Sequence, residues 1–227
     1  RGSAQSLNPP SPISLAACGV PFTNAPLLEP EDLDALRASG KSATGQVPLL
    51  EYDGLNFVQS AATIRYLARH VGGLHGPPPR DELQVDTVMD TVIDFTNKAT
   101  VTYPIASNLP PATDGTPARD VYLATILHPN LAKYLPIFEG FITANSASDT
   151  FTVGGAMTIA DVLLAEAMLT PTEILGGSEF LGAYPGLLKL TKAVWESPKI
   201  AAYLSSAEHY PLPGADYKAN VDHVLRR

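Results

Sequence analysis

From Val47 to Val71 the alternation of apolar and polar positions changes period once, which divides the stretch into strand, hairpin, strand and helix. Val47 to Tyr52 is a run rich in β-formers that starts beside Pro48. Asp53 and Gly54 follow, a dipeptide suited to a type I′ turn because both central residues need positive φ. Leu55 to Gln59 reads as the returning strand, and Ser60 stands where a helix N-cap belongs. Ile64, Leu67, Ala68 and Val71 then fall at i, i+3, i+4 and i+7, one apolar helical face that leaves out Arg65 and Arg69.

Upstream, Pro9, Pro10 and Pro12 interrupt a helical pattern that closes at Gly19, so a broken first helix is predicted. Val20 to Thr23 reads as a short strand, Pro26 to Pro30 as a turn, and Asp32 to Ser39 as a short helical or irregular segment. A loop over 39–44 leads into the proline strand. Downstream, Gly76 and three consecutive prolines make residues 75–80 a stiff linker. It separates an α/β domain over 1–74 from an all-helical domain over 81–227, where no strand-like alternation occurs.

The helical domain opens with Asp81 to about Thr102, in which Val85, Val88, Met89 and Val92 form the core face. Asp86, Asp90 and Asp94 recur every four residues beside it. Like charges so spaced cost about 0.2–0.5 kcal/mol per pair in isolated helices, so solvation, nearby lysines or a ligand must offset them. Residues 118–145 keep helical periodicity across Pro129 and Pro136, as two helices or one kinked one. Thr158 and Asp161 have the spacing of a capping box ahead of a buried helix, a structural role.

Composition narrows the function classes. A hydrophobic content of 45% over 227 residues builds real cores, while a net charge of −8 with scattered cations argues against a nucleic-acid surface or a polybasic membrane patch. No apolar run approaches the roughly 20 residues of a membrane span. A single cysteine, Cys18, excludes disulfide scaffolds and CxxC chemistry and fits a reducing cytoplasm. The five histidines show no ligand spacing, so no metal is expected. The remaining candidate chemistry sits at the hairpin. Gln59 offers an amide, and Ser60 a hydroxyl, an N–H and a helix dipole, a set able to hold a carboxylate. Val47, beside a proline that lacks an N–H, keeps main-chain groups with which an extended peptide can pair. The plainer alternative is a helix cap behind an edge strand.

The run GQVPLLEYDG followed by QSAATIRYLA resembles the glutathione-binding half of the cytosolic glutathione transferases, tyrosine-type and nearest in pattern to the pi and sigma groups. The resemblance implies a thioredoxin-like α/β N-terminal domain and an all-α C-terminal domain. It further implies a homodimer with glutathione as co-substrate, whose thiolate is conjugated to hydrophobic electrophiles or serves glutathione-dependent isomerisation. By this resemblance Gln46, Val47, Pro48, Gln59 and Ser60 hold glutathione, with Lys41, or alternatively Arg37, on its glycine carboxylate. Asp94 of a partner subunit reaches the glutamyl amino group, and Tyr103 lines the electrophile pocket. In this family the thiol-activating tyrosine lies on a first strand just before an Arg-Gly pair. Because residues 1–7 resemble the opening of the first helix, that strand is expected ahead of Arg1, and no catalytic residue is assigned. The alternative is a non-catalytic transferase-like binding or interaction protein.

Overall fold

The computed structural model describes residues 2–6, 11–77, 80–100, 111–209 and 216–226, with the backbone alone for 2–6 and 216–218. Two units divide the chain, one made of 1–74, 198–211 and 216–227, the other of 75–197 and 212–215.

The first unit is built on a four-stranded sheet of β1 (Gly2–Ser6), β2 (Phe22–Pro26), β3 (Leu49–Tyr52) and β4 (Leu55–Val58), in the order β2-β1-β3-β4. β1 runs parallel to β2 and antiparallel to β3, and β3 is antiparallel to β4. In this sheet the inner position between β2 and β3 is taken by Gly2–Ser6. These residues, read from sequence as the start of a helix, all pair with β2, and Ser3, Ala4 and Gln5 pair with β3 as well, Ser3 for example facing Thr23 and Glu51. Three of the five are Gly or Ser, which hides the strand from a reading based on apolar alternation. No tyrosine lies on it.

Helix α1 (Pro12–Cys18) starts after the prolines, with Pro12 in the first turn, where its missing N–H costs nothing. Ser11 caps it and Gly19 ends it. Helix α2 spans Pro30–Ala38, and Asp32 closes its capping box by accepting the N–H groups of Leu28 and Glu29, both at 3.0 Å. The Asp53-Gly54 turn has φ of 51° and 75°, and Tyr52 pairs with Leu55, the two-residue hairpin that the dipeptide predicts. Helix α3 (Ser60–Leu67) buries Thr63, Ile64 and Leu67 and then widens into a π turn over Ala68–Gly72. That widening departs from the 3.6-residue period, and Val71, assigned by spacing to the apolar face, is 38% exposed.

Helix α4 (Arg80–Ala99) buries Val85, Val88, Met89, Val92 and Phe95, the side on which the sequence placed its core. A short helix α5 (Ala118–Tyr122) passes through a π turn at Leu123–Leu127 into α6 (His128–Ala144). Pro129 supplies no N–H there, which removes one i−4 bond just where the turn widens. Phe95 meets Phe138 edge-on, ring centroids 5.8 Å apart. The buried helix α7 (Ile159–Leu175) is held at its start by Asp161, whose carboxylate accepts from the N–H and hydroxyl of both Thr152 and Thr158 at 2.7–2.9 Å. Burial pushes that carboxyl's pKa up, and the four bonds oppose the shift. Helix α8 covers Pro185–Trp195. The α/β arrangement of the first unit is thioredoxin-like, and only helices form regular structure among the described residues of the second.

Residues 198–211 and 216–227, which the sequence assigned to the helical domain, group with the first unit. Helix α9 (Pro198–Leu204) lies against α1, and α10 (Asp216–Leu225) against α2. The turn ending at Gly72 presses on α1. A Cβ added at Gly72 would lie 2.9 Å from Cys18 Sγ and 3.0 Å from Cys18 Cα, closer than packing allows. Gly72→Ala is expected to lower unfolding free energy by about 1–3 kcal/mol in denaturant titration, with the m-value unchanged.

Candidate functional site

The site follows from how β3 begins. Its ladders with β1 and β4 both stop at Leu49, so the main-chain groups of Val47 lie beyond them. Leu49 pairs with Val58, the last residue of β4, and α3 begins two residues later at Ser60, so the start of β3 and the start of α3 lie at the same end of the hairpin. The Val47–Pro48 peptide is cis.

Ser60 is the first residue of α3, and Gln59, not Ser60, holds the N-cap position. The Gln59 carbonyl accepts the N–H and the hydroxyl of Thr63, at 3.0 and 3.1 Å. As first helical residue Ser60 has an N–H with no intrahelical acceptor, beside its own hydroxyl. Gln59 has φ 68° and ψ 97°, a region costly for a side-chain-bearing residue, and it is exposed. The sequence carries no sign of this strain, since nothing in a glutamine distinguishes a relaxed cap from a forced one.

The loop before β3 is ordered from outside. Arg37 Nε donates to the Gly45 carbonyl at 3.0 Å, and the buried Ser42 hydroxyl to the Gln46 carbonyl at 2.7 Å. Gln46 has an exposed side chain. Lys41 Nζ sits 2.8 Å from Glu51 on β3 and lines a cavity of about 340 Å³ with Leu27, Asp32 and Leu36. Both cations proposed for a peptide carboxylate therefore have local acceptors, and Arg37 braces the loop itself. The bracing of this loop by Arg37, considered from sequence only as a carboxylate partner, and by Ser42 was not legible, because a 3 Å contact across eight residues of irregular loop leaves no periodic trace.

In the second unit Asp94 is 66% exposed and 3.4 Å from Lys98, which also donates to the Tyr134 hydroxyl at 2.9 Å. Asp86 lies 3.6 Å from the buried His75. Tyr103 falls outside the described residues. Among the described residues no cluster of three or more His, Cys, Asp or Glu could hold a metal, and no helix is long and apolar enough to cross a membrane.

A thioredoxin-like unit joined to a helical unit defines the class. A family model for the glutathione S-transferase C-terminal domain matches residues 107–207. Glutathione S-transferase 1 of Ascaris suum is 31% identical over 184 residues, 81% of this chain and 84% of the relative. Glutathione S-transferase A1 of Bos taurus is 29% identical over 92% of this chain and 84% of its own length. The crystal structure of the glutathione S-transferase from Ascaris lumbricoides superposes with a TM-score of 0.74 at 27% identity, covering 93% of this chain and 98% of that one. The chain belongs to the glutathione S-transferase family.

Two outcomes test the local chemistry. Gln59→Gly is expected to raise unfolding free energy by about 1 kcal/mol in urea titration by releasing the strained φ, and a loss of stability would contradict the strain. Burial pushes the Cys18 thiol from 9.0 up to about 11, with Lys199 partly opposing the shift. Below pH 9.0 both folded and unfolded thiols are protonated and stability is unaffected; between 9.0 and 11 the unfolded thiol ionises first and stability falls. Cys18→Ser should therefore show a shallower alkaline loss than the parent, and identical slopes would count against a buried neutral thiol.

Proposed function

We propose that this chain is a glutathione transferase whose binding edge is Gln46, Val47, Pro48, Gln59 and Ser60. The observation that carries the reading is that Val47 lies beyond both β3 ladders, at the end of the hairpin from which α3 starts. An extended tripeptide adds to that edge as a short strand, its cysteinyl main chain on Val47. Its glutamyl carboxylate then meets the Ser60 hydroxyl and N–H, the Gln59 amide and the positive end of α3.

At the glycine end Lys41 takes the second carboxylate by exchanging it for Glu51. That exchange is cheap because the pair is half exposed and such pairs contribute about 0–1 kcal/mol. Asp94 of a partner subunit receives the glutamyl ammonium in place of Lys98. That role makes the active form a homodimer, which gel filtration with light scattering checks. Tyr103, outside the described residues, is assigned to the electrophile pocket by the family resemblance alone. The tyrosine-type, pi- or sigma-like subclass belongs to this proposal, as does a cytoplasmic setting.

The reaction forms a bond between the glutathione sulfur, as thiolate, and an electrophilic carbon of an apolar substrate, with the leaving group departing or the adduct taking up a proton. Cys18, buried and neutral, takes no part in it.

Calorimetry with glutathione tests the edge. Ser60→Ala is expected to weaken binding about tenfold by removing one hydrogen bond to a charged group, with the fold intact. No binding heat from the parent protein would sink the assignment. Glutathione binding without turnover of any reactive aryl halide or epoxide would identify instead a non-catalytic binding relative.

A further inference from the structure

Helix α10 packs against α2, and its end, with Arg226 just beyond it, connects to the start of β3 by two routes. One is apolar. Val224 is buried against Leu27 and Leu33, and both Val47 and Leu225 pack onto that cluster, so a side chain of α10 and the peptide-pairing residue share one core. The other is ionic. Arg226 Nη2 sits 2.8 Å from Asp34 Oδ2 and 3.3 Å from Glu31 Oε1. The second oxygen of Asp34, Oδ1, is 4.0 Å from Arg37 Nη1. Arg37 in turn donates through Nε to the carbonyl of Gly45, two residues before Val47. Nearby, His223 Nε2 lies 2.9 Å from Glu29 Oε2.

Arg226 holds φ at 53°, a backbone conformation that favours glycine. Its guanidinium contacts are what distinguish it from the glycine that would fit this position without strain. The Asp34 carboxyl is held below the ordinary carboxylate range, first by its hydrogen bond from Arg226 and then by the charges of Arg226 and Arg37, so it is ionised at neutral pH.

We propose that Arg226 and Asp34 are positioning residues of the peptide-binding edge, fixing Val47 through Arg37 and the Leu27–Leu33–Val224 cluster. The proposal rests on the glutathione reading for its ligand. Each exposed ion pair adds little stability on its own. Their effect is placement, because Asp34 grips a cation on either side and the main-chain groups of Val47 act only when held in place.

The experiment uses the full chain, with Arg226→Ala, Asp34→Asn and the charge-keeping Arg226→Lys. In Arg226→Ala and Asp34→Asn, hydrogen–deuterium exchange should accelerate selectively in peptides covering residues 42–50, with or without glutathione. The KM for glutathione should rise about two- to tenfold at nearly constant kcat. Arg226→Lys should restore both readouts to within about twofold of the parent. Unchanged exchange over 42–50 in Arg226→Ala overturns the proposal. So does an exchange increase spread evenly over the chain, which would mark a merely structural role. If the parent binds no glutathione, the functional reading fails while the exchange measurement still decides whether α10 positions Val47.

Discussion

Main-chain pairing of β3 is the constraint on which the first unit depends. The strand has a neighbour on each side, so any main-chain group meant for a ligand must lie past the end of both ladders. The two-residue Asp53-Gly54 turn fixes the β3–β4 register, and Leu49 and Leu50, on opposite faces of the sheet and both fully buried, anchor the start of β3 in the core. The start of α3 then has no freedom to move away from the start of β3. A hairpin chosen for tightness thereby sets how far apart the starts of β3 and α3 lie.

Residues whose role is local were legible in the sequence. The hairpin, the cap at Thr158 with Asp161, and the apolar face of α4 each arise from neighbours within a few positions, where propensity and period apply. What stayed hidden depends on distant partners. Gly2–Ser6 becomes a strand because β2 and β3 flank it, and its small residues carry no strand signal of their own. The π turn at Ala68–Gly72 displaces Val71 because Gly72 has to pass close to Cys18, a contact 54 residues apart in sequence by their numbers. Ser60 reads as a cap by residue type, yet Gln59 occupies that position in a backbone conformation glutamine rarely adopts. In the candidate site the residue identities were readable and the bracing by Arg37 and Ser42 was not.

Charge poses a second problem that the first unit solves locally. A chain of net charge −8 repels an anionic tripeptide at long range, a field that salt screens within about 10 Å. Positive features stand near the hairpin end: the amide end of α3, and Lys41 beside Glu51, while the Arg37 guanidinium is engaged with the Gly45 carbonyl and Asp34. None of them is a dense cationic patch. On the proposed reading, selectivity rests on geometry, since a loose anion meets an unfavourable average field.

The seating of Cys18 has a chemical consequence for a protein that handles electrophiles. The thiolate is the form of a cysteine that alkylating agents and peroxides attack, and burial beneath the Gly72 turn keeps this sulfur protonated. The chain's own thiol is thus a poor competitor for the reagents its co-substrate consumes. Exposure to such compounds therefore spends the co-substrate's thiol ahead of Cys18.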